Sequence, residues 1–154
     1  MNNEFTTNIN YNGDSTDYLL LAAELALIKR QLTKLHSIDK ILEPNNGATF
    51  VLSYLAENTV PVTPKEISQV MNISSARIAM ILNQLEIKEF IERNPDPNNG
   101  RQTIVQILPD GTLQHAKNKE AYTKRAIEFL EALGIEDAVT YVRLQKKIVE
   151  IFSK

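Results

Sequence analysis

The sequence predicts a mainly α protein with one small β-hairpin. Three observations carry that reading. Two β-forming runs, Phe90-Ile91 and Ile104-Val105, flank Asn99-Gly100. That dipeptide favours a tight hairpin turn, because Asn and Gly accept positive φ most readily. Directly upstream stand two short helical patterns, each opened by its own capping signal. At both ends of the chain, apolar residues recur at helical spacing over long stretches.

The N-terminal residues 1–13 are Asn- and Thr-rich and read as a disordered arm. Asp14, Ser15 and Thr16 are good capping residues for a helix predicted over 16–42. Leu21, Leu25, Ile28, Leu32, Leu35 and Leu42 step along it by threes and fours, with Asp39 the polar member of the series. Leu19, Leu20, Leu27 and Ile38 widen the stripe. A stripe that wide calls for contact on more than one side, as at a subunit interface. Pro44 and Asn45-Asn46-Gly47 end the segment, and a second helix follows over 48–57. Val60-Pro61-Val62 reads as a short extended edge. Thr63-Pro64-Lys65-Glu66 then sets a sharp helix start, with Thr as cap, Pro at the first helical position and Glu closing a capping box. This helix ends near Met71, where Asn72 suits a left-handed residue.

Ser74 caps the next helix, predicted over 75–88. Ile78, Ile81, Leu82 and Leu85 form its inner face; Ala76, Met80 and Asn83 form the opposite one, with Arg77, Ala79 and Gln84 at its margins. That outer face is small, polar and nearly free of acid until Glu86, as a helix entering a major groove requires. After the hairpin, Leu108-Pro109-Asp110-Gly111 breaks the strand. Helices are predicted over 112–133, stopped by Gly134, and over 135–152. Helix, turn, helix and basic hairpin in that order make a winged helix-turn-helix over 44–108, flanked by N- and C-terminal helical regions over 14–43 and 109–154, the first of which carries the stripe that suits a dimerisation interface.

Composition narrows the function. The 154 residues fit one domain or one core with helical extensions, and 43% hydrophobic content suffices for a core. The absence of cysteine excludes a disulfide framework and thiolate metal ligands. The N-terminus lacks the layout of a signal peptide, and no apolar run approaches the roughly 20 residues of a membrane span. A cytoplasmic protein with no membrane partner is expected. The net charge is −2, and residues 65–101 carry five basic and five acidic side chains. Phosphate attraction decays over about 8–10 Å, so the placement of each cation matters more than the total.

Leu85-Glu86, Arg93 and the run Asp96-Pro97-Asn98-Asn99-Gly100-Arg101, followed by Gly111 after the strand, resemble the MarR family of bacterial transcription regulators. The resemblance covers the chain from about Leu19 to the C-terminus. Two positions depart from the family pattern: its wing aspartate is Asn99 here, and its threonine after the strand is Leu108. The resemblance implies a homodimer that binds a near-palindromic operator in double-stranded DNA, with each recognition helix in a major groove and each wing in the adjacent minor groove. It also implies a small-molecule effector bound between the two layers. A repressor is expected. The alternative is a winged-helix module that binds protein, motivated by the neutral charge of the reader and by Asn99.

The candidate DNA-binding residues are Lys65, Ser74, Ser75, Ala76, Arg77, Met80, Asn83, Gln84, Arg93, Asn98, Asn99 and Arg101. Taken alone, Arg101 reads as a solvated hairpin arginine; after the two upstream helices it reads as the wing-tip cation for a minor groove. Arg93 either contacts a phosphate or pairs with Asp96. Ser74 and Ser75 suit phosphate contacts at a helix N-terminus, and Ser74 also serves as a cap. Arg77 suits phosphate or guanine; Asn83 and Gln84 read adenine or are simply exposed. Lys65 lies where a cation opposes the helix dipole. His36 and His115 are the only histidines; with Glu24, Asp39 or Glu43 they could form a metal site, but no close His–Glu or His–His spacing of the usual ligand type occurs, so no metal and no cofactor are expected. No nucleophile elbow, phosphate-binding loop or metalloprotease motif is present, so an enzyme is not expected.

Overall fold

The computed structural model describes residues 13–32, 34, 47–58 and 60–153. Residues 1–12 of the expected arm at 1–13, the stretch 35–46 and with it His36, Asp39 and Glu43 lie outside the described residues. The chain divides into two compact units, residues 1–42 and 43–154. Among the described residues no helix is long and apolar enough to cross a membrane.

The first unit holds α1 (Ser15–Leu32). Asp14 caps it: its Oδ1 accepts from the N–H groups of Thr16 at 2.8 Å and Asp17 at 3.0 Å. Leu19, Leu20, Leu21, Leu25 and Leu27 are exposed. The predicted continuation to residue 42 falls outside the described residues.

The second unit runs α2 (Gly47–Glu57), α3 (Pro64–Met71), α4 (Ser75–Ile87), β1 (Ile91–Asp96), β2 (Asn99–Ile107), α5 (Pro109–Leu133) and α6 (Ile135–Phe152). Its mainly helical content with one antiparallel hairpin is the predicted fold class. One core serves it: Val51, Leu52 and Leu55 of α2, Ile67 of α3, Ile78, Leu82 and Leu85 of α4, and Ile91 and Val105 of the hairpin, with Val62 closing the edge. Val62 makes a single bridge to β2, donor and acceptor being the Val105 N–H and the Val62 carbonyl at 2.8 Å. The α3 cap is the predicted box. The Thr63 N–H donates to Glu66 Oε2 at 2.6 Å, and the Glu66 N–H donates to Thr63 Oγ1 at 3.2 Å. Asn72 ends the helix in the left-handed region, φ 51°.

Two expectations are corrected. The hairpin does not turn on Asn99-Gly100: neither residue has positive φ, and both belong to β2. The turn is Pro97-Asn98. Pro97 presets its own φ, and Asp96 Oδ1 accepts from the Asn98 N–H at 2.8 Å, so the aspartate fastens the turn two residues early. The ladder then slips. Pro95 stands opposite Thr103, but Asp96 stands opposite Asn99. The second correction concerns α5, which starts at Pro109 and not near residue 112. Pro-Asp opens this helix instead of breaking the chain, since proline suits the first helical position. The cap residue Leu108 offers no side-chain hydrogen bond, as its apolar side chain dictates. Gly111 falls in the first turn, where a Cβ would lie 2.0 Å from the Phe90 carbonyl oxygen. That glycine lets α5 sit directly on the junction between α4 and β1.

Candidate nucleic-acid interface

The site begins with two caps. Thr63 starts α3, and Ser74 starts α4 by accepting from the Arg77 N–H at 3.3 Å. Between them, the left-handed Asn72 makes the sharp turn. The Ile73 N–H returns to the Ser68 carbonyl at 3.1 Å, and Ser68 Oγ donates to the Ile73 carbonyl at 3.0 Å. The turn is thus closed by hydrogen bonds from both sides, which fixes the angle between α3 and α4.

Burial of Ile78, Leu82 and Leu85 sets the rotation of α4. Ala76, Met80 and Asn83 are turned outward, with Arg77 and Gln84 beside them, all exposed. Met80 is 62% exposed. For an apolar side chain in the middle of a helix that packs a core, this is a face left open. Ser74 and Ser75 are exposed at the helix start, and Lys65 is exposed in the first turn of α3. Asn98, Asn99 and Arg101 are exposed at the hairpin tip. There the Arg101 N–H donates to Asn99 Oδ1 at 3.4 Å. Asn99 therefore braces the backbone that carries Arg101.

Arg93 does not pair with Asp96. Its guanidinium turns to α4, where Nη2 and Nε both donate to Glu86 Oε2, Nε at 3.1 Å. Nη2 also donates to Asn83 Oδ1 at 2.7 Å. Asp96 is occupied with the turn instead. This ties β1 to the exposed face of α4. Glu86, in the sequence a family marker and the acid bounding the outer face, is thus the residue that positions Arg93. Its spacing of seven from Arg93 across a helix–strand junction was the available signal. The Arg93 hydrogen bond holds the Glu86 carboxyl below its ordinary value, and Glu86 in turn raises Arg93.

Glu66 is likewise held low, by the Thr63 backbone N–H and then the Thr63 hydroxyl. Both glutamates have lowered folded values. The stability they supply is complete above the ordinary glutamate value of 4.5 and is lost as pH falls through the lowered ones. Both are surface groups, so the expected effect is at most about 1 kcal/mol. In thermal melts, Glu86→Gln should lose less stability than wild type between pH 5 and pH 3. Parallel losses would mean that the Glu86–Arg93 pair does not contribute.

His115 is half-buried on α5, and among the described residues no group of three metal-ligating side chains exists.

Fold and exposed face define a winged helix-turn-helix protein. Residues 47–103, from α2 into β2, match the family model described as MarR family. Over 50 residues the chain is 36% identical to the Multiple antibiotic resistance protein MarR of Salmonella typhimurium, and equally to that of Salmonella typhi. The match covers 32% of this chain and 35% of those proteins, so the chain aligns with about a third of their length. Among solved structures, it is similar to MepR, a transcription regulator of the Staphylococcus aureus multidrug efflux pump MepA. That likeness has TM-score 0.63 at 15% identity and covers 84% of this chain and 97% of that one. The PcaV transcriptional regulator of Streptomyces coelicolor gives 0.66 at 15%, covering 82% and 95%. The reduced form of MarR from E. coli gives 0.64 at 21%, covering 84% and 96%. At these identities the structures speak for the fold. The segment matched by the family model holds the helix-turn-helix and most of the wing.

Proposed function

We propose that this protein is a sequence-specific, DNA-binding transcription regulator of the MarR type, acting in the cytoplasm as a homodimeric repressor. The observation that carries the reading is the outer face of α4. Ala76, Met80 and Asn83 are held open by a helix whose other side is locked into the core. Small and polar side chains on such a helix fit a major groove. Ser74, Ser75, Arg77 and Lys65 surround that face and suit phosphates, and Arg101 at the hairpin tip suits an adjacent minor groove. The MarR-family match to this same segment supports it.

Dimerisation is assigned to residues 14–43 and 109–154, and reading to 44–108. Support comes from apolar surface left open on the flanking helices. The leucines of α1 are exposed. A groove of about 940 Å³ between α5 and α6 is lined by Ile127, Leu130, Ile135, Val139 and Val142. Surface of this kind is expected to be covered by a partner. Two readers would then meet half-sites about 34 Å apart. A small-molecule effector that alters their spacing would release the DNA.

Salt dependence tests the reading. Purified protein should bind fragments of its own upstream region, and affinity should fall steeply between 50 and 200 mM salt, by about 10³-fold or more for six phosphate contacts. The even charge balance of residues 65–101 favours one second reading, a winged-helix module that binds protein. No bound fragment even at low salt would favour that module.

A further inference from the structure

An asparagine in a major groove ordinarily reads adenine with both halves of its amide. The amide nitrogen donates to N7 and the oxygen accepts from N6. Asn83 is placed on the outer face of α4, yet its amide is already half-engaged. Arg93 Nη2 lies 2.7 Å from Asn83 Oδ1. A guanidinium has only donors. It can therefore be satisfied only by the oxygen, and this fixes which way the amide is flipped. The nitrogen, Nδ2, is turned away from Arg93, and among the described residues nothing accepts from it. Arg93 is itself held by two hydrogen bonds to Glu86 Oε2, so the clamp does not depend on Asn83.

Resting on the DNA-binding reading above, we infer that Asn83 reads its base pair as a hydrogen-bond donor alone and selects guanine over adenine, with Arg93 as the positioning residue that occupies its oxygen. Guanine presents two major-groove acceptors, O6 and N7, and both suit the free NH₂ group. Adenine presents one acceptor beside the N6 amino group. That amino group would need Oδ1, where a second donor would be crowded against the bound guanidinium. Cytosine offers only a donor and meets the Asn83 amide nitrogen with the wrong polarity. Asn83 and Arg93 thus act as one reading unit assembled from a helix and a strand. Arg93 contributes to specificity without touching the DNA, since its charge is already matched by Glu86.

The test is selection from a pool of random DNA duplexes by the purified full-length protein, comparing wild type, Asn83→Ala and Arg93→Met. Wild type should show one position per half-site where guanine is preferred over adenine by about tenfold. Asn83→Ala, an exposed substitution that the fold tolerates, should flatten that position and leave the others unchanged. Arg93→Met keeps the length of the side chain but frees the oxygen, so preference at the same position should move from guanine to adenine. A purely structural role for Arg93 would weaken all positions together. If wild type prefers adenine there, or if Asn83→Ala changes no position, the donor-only assignment is overturned while the DNA-binding reading stands. If wild type selects no DNA at low salt, the DNA-binding reading fails and the assignment fails with it.

Discussion

Leu82→Ala should cost about 2–5 kcal/mol of folding stability, the range for emptying a fully packed leucine site. Leu82 is 0% exposed and shares its core with Leu52 of α2, Ile67 of α3 and Val105 of β2. Every element that positions the reading face meets there. The reach of the loss is therefore as informative as its size. Helix-turn-helix and hairpin should melt together at a lower temperature, in a single transition followed by circular dichroism. Met80→Ala, two residues away on the open face, should change stability by no more than about 0.5 kcal/mol. A small effect at Leu82, or a large one at Met80, would mean that α4 is rotated differently about its axis. The reading face would then have to be redrawn.

Arg101→Ala carries the second large effect. Under the DNA-binding reading it should weaken operator affinity by about 1–3 kcal/mol for each half-site and lower the salt slope by about one for each half-site. Thermal stability should be unchanged, because Arg101 is exposed. Asn99→Ala should weaken binding less. The Asn99 side chain holds the Arg101 backbone N–H and contributes no charge of its own. Mobility-shift titration at two salt concentrations checks both. Unchanged affinity for Arg101→Ala would remove the wing from the mechanism and leave the recognition helix alone.

Features fixed by residues three or four apart were legible in advance. The Thr63–Glu66 box, the Ser74 cap and the left-handed Asn72 are local hydrogen-bond choices that the residue types announce. The inner face of α4 was legible for a similar reason, since helical period alone separates Ile78, Leu82 and Leu85 from Met80 and Asn83. Two local signals compete at the hairpin tip. Asn99-Gly100 is the turn expected from the sequence, yet a proline with preset φ at 97 and the aspartate one step before it form the stronger pair. At Pro109, a residue that ends one element was also the residue that starts the next. The partner of Arg93 was of another kind. Choosing Glu86 over Asp96 requires knowing how β1 leaves α4. Glu89 sits there in the left-handed region, φ 57°, and the Phe90 N–H returns to the Leu85 carbonyl at 3.0 Å. A glutamate does not announce that conformation, which glycine adopts more readily.

The slipped ladder at the hairpin tip bears on how the wing can vary. Gly100, Arg101 and Gln102 have no partner in β1, because the register jumps between Pro95 and Asp96. The pairs that matter to the core, Ile91 with Ile107 and Arg93 with Val105, lie behind that jump. Lengthening or shortening the tip by a residue therefore need not shift Ile91 or Val105 to the wrong face, as a slip along a continuous ladder would. The reach of the wing and the stability of the fold are separate variables in this protein. Tip insertions that change how far Arg101 extends, at constant melting temperature, would make the bulge a ruler for groove depth.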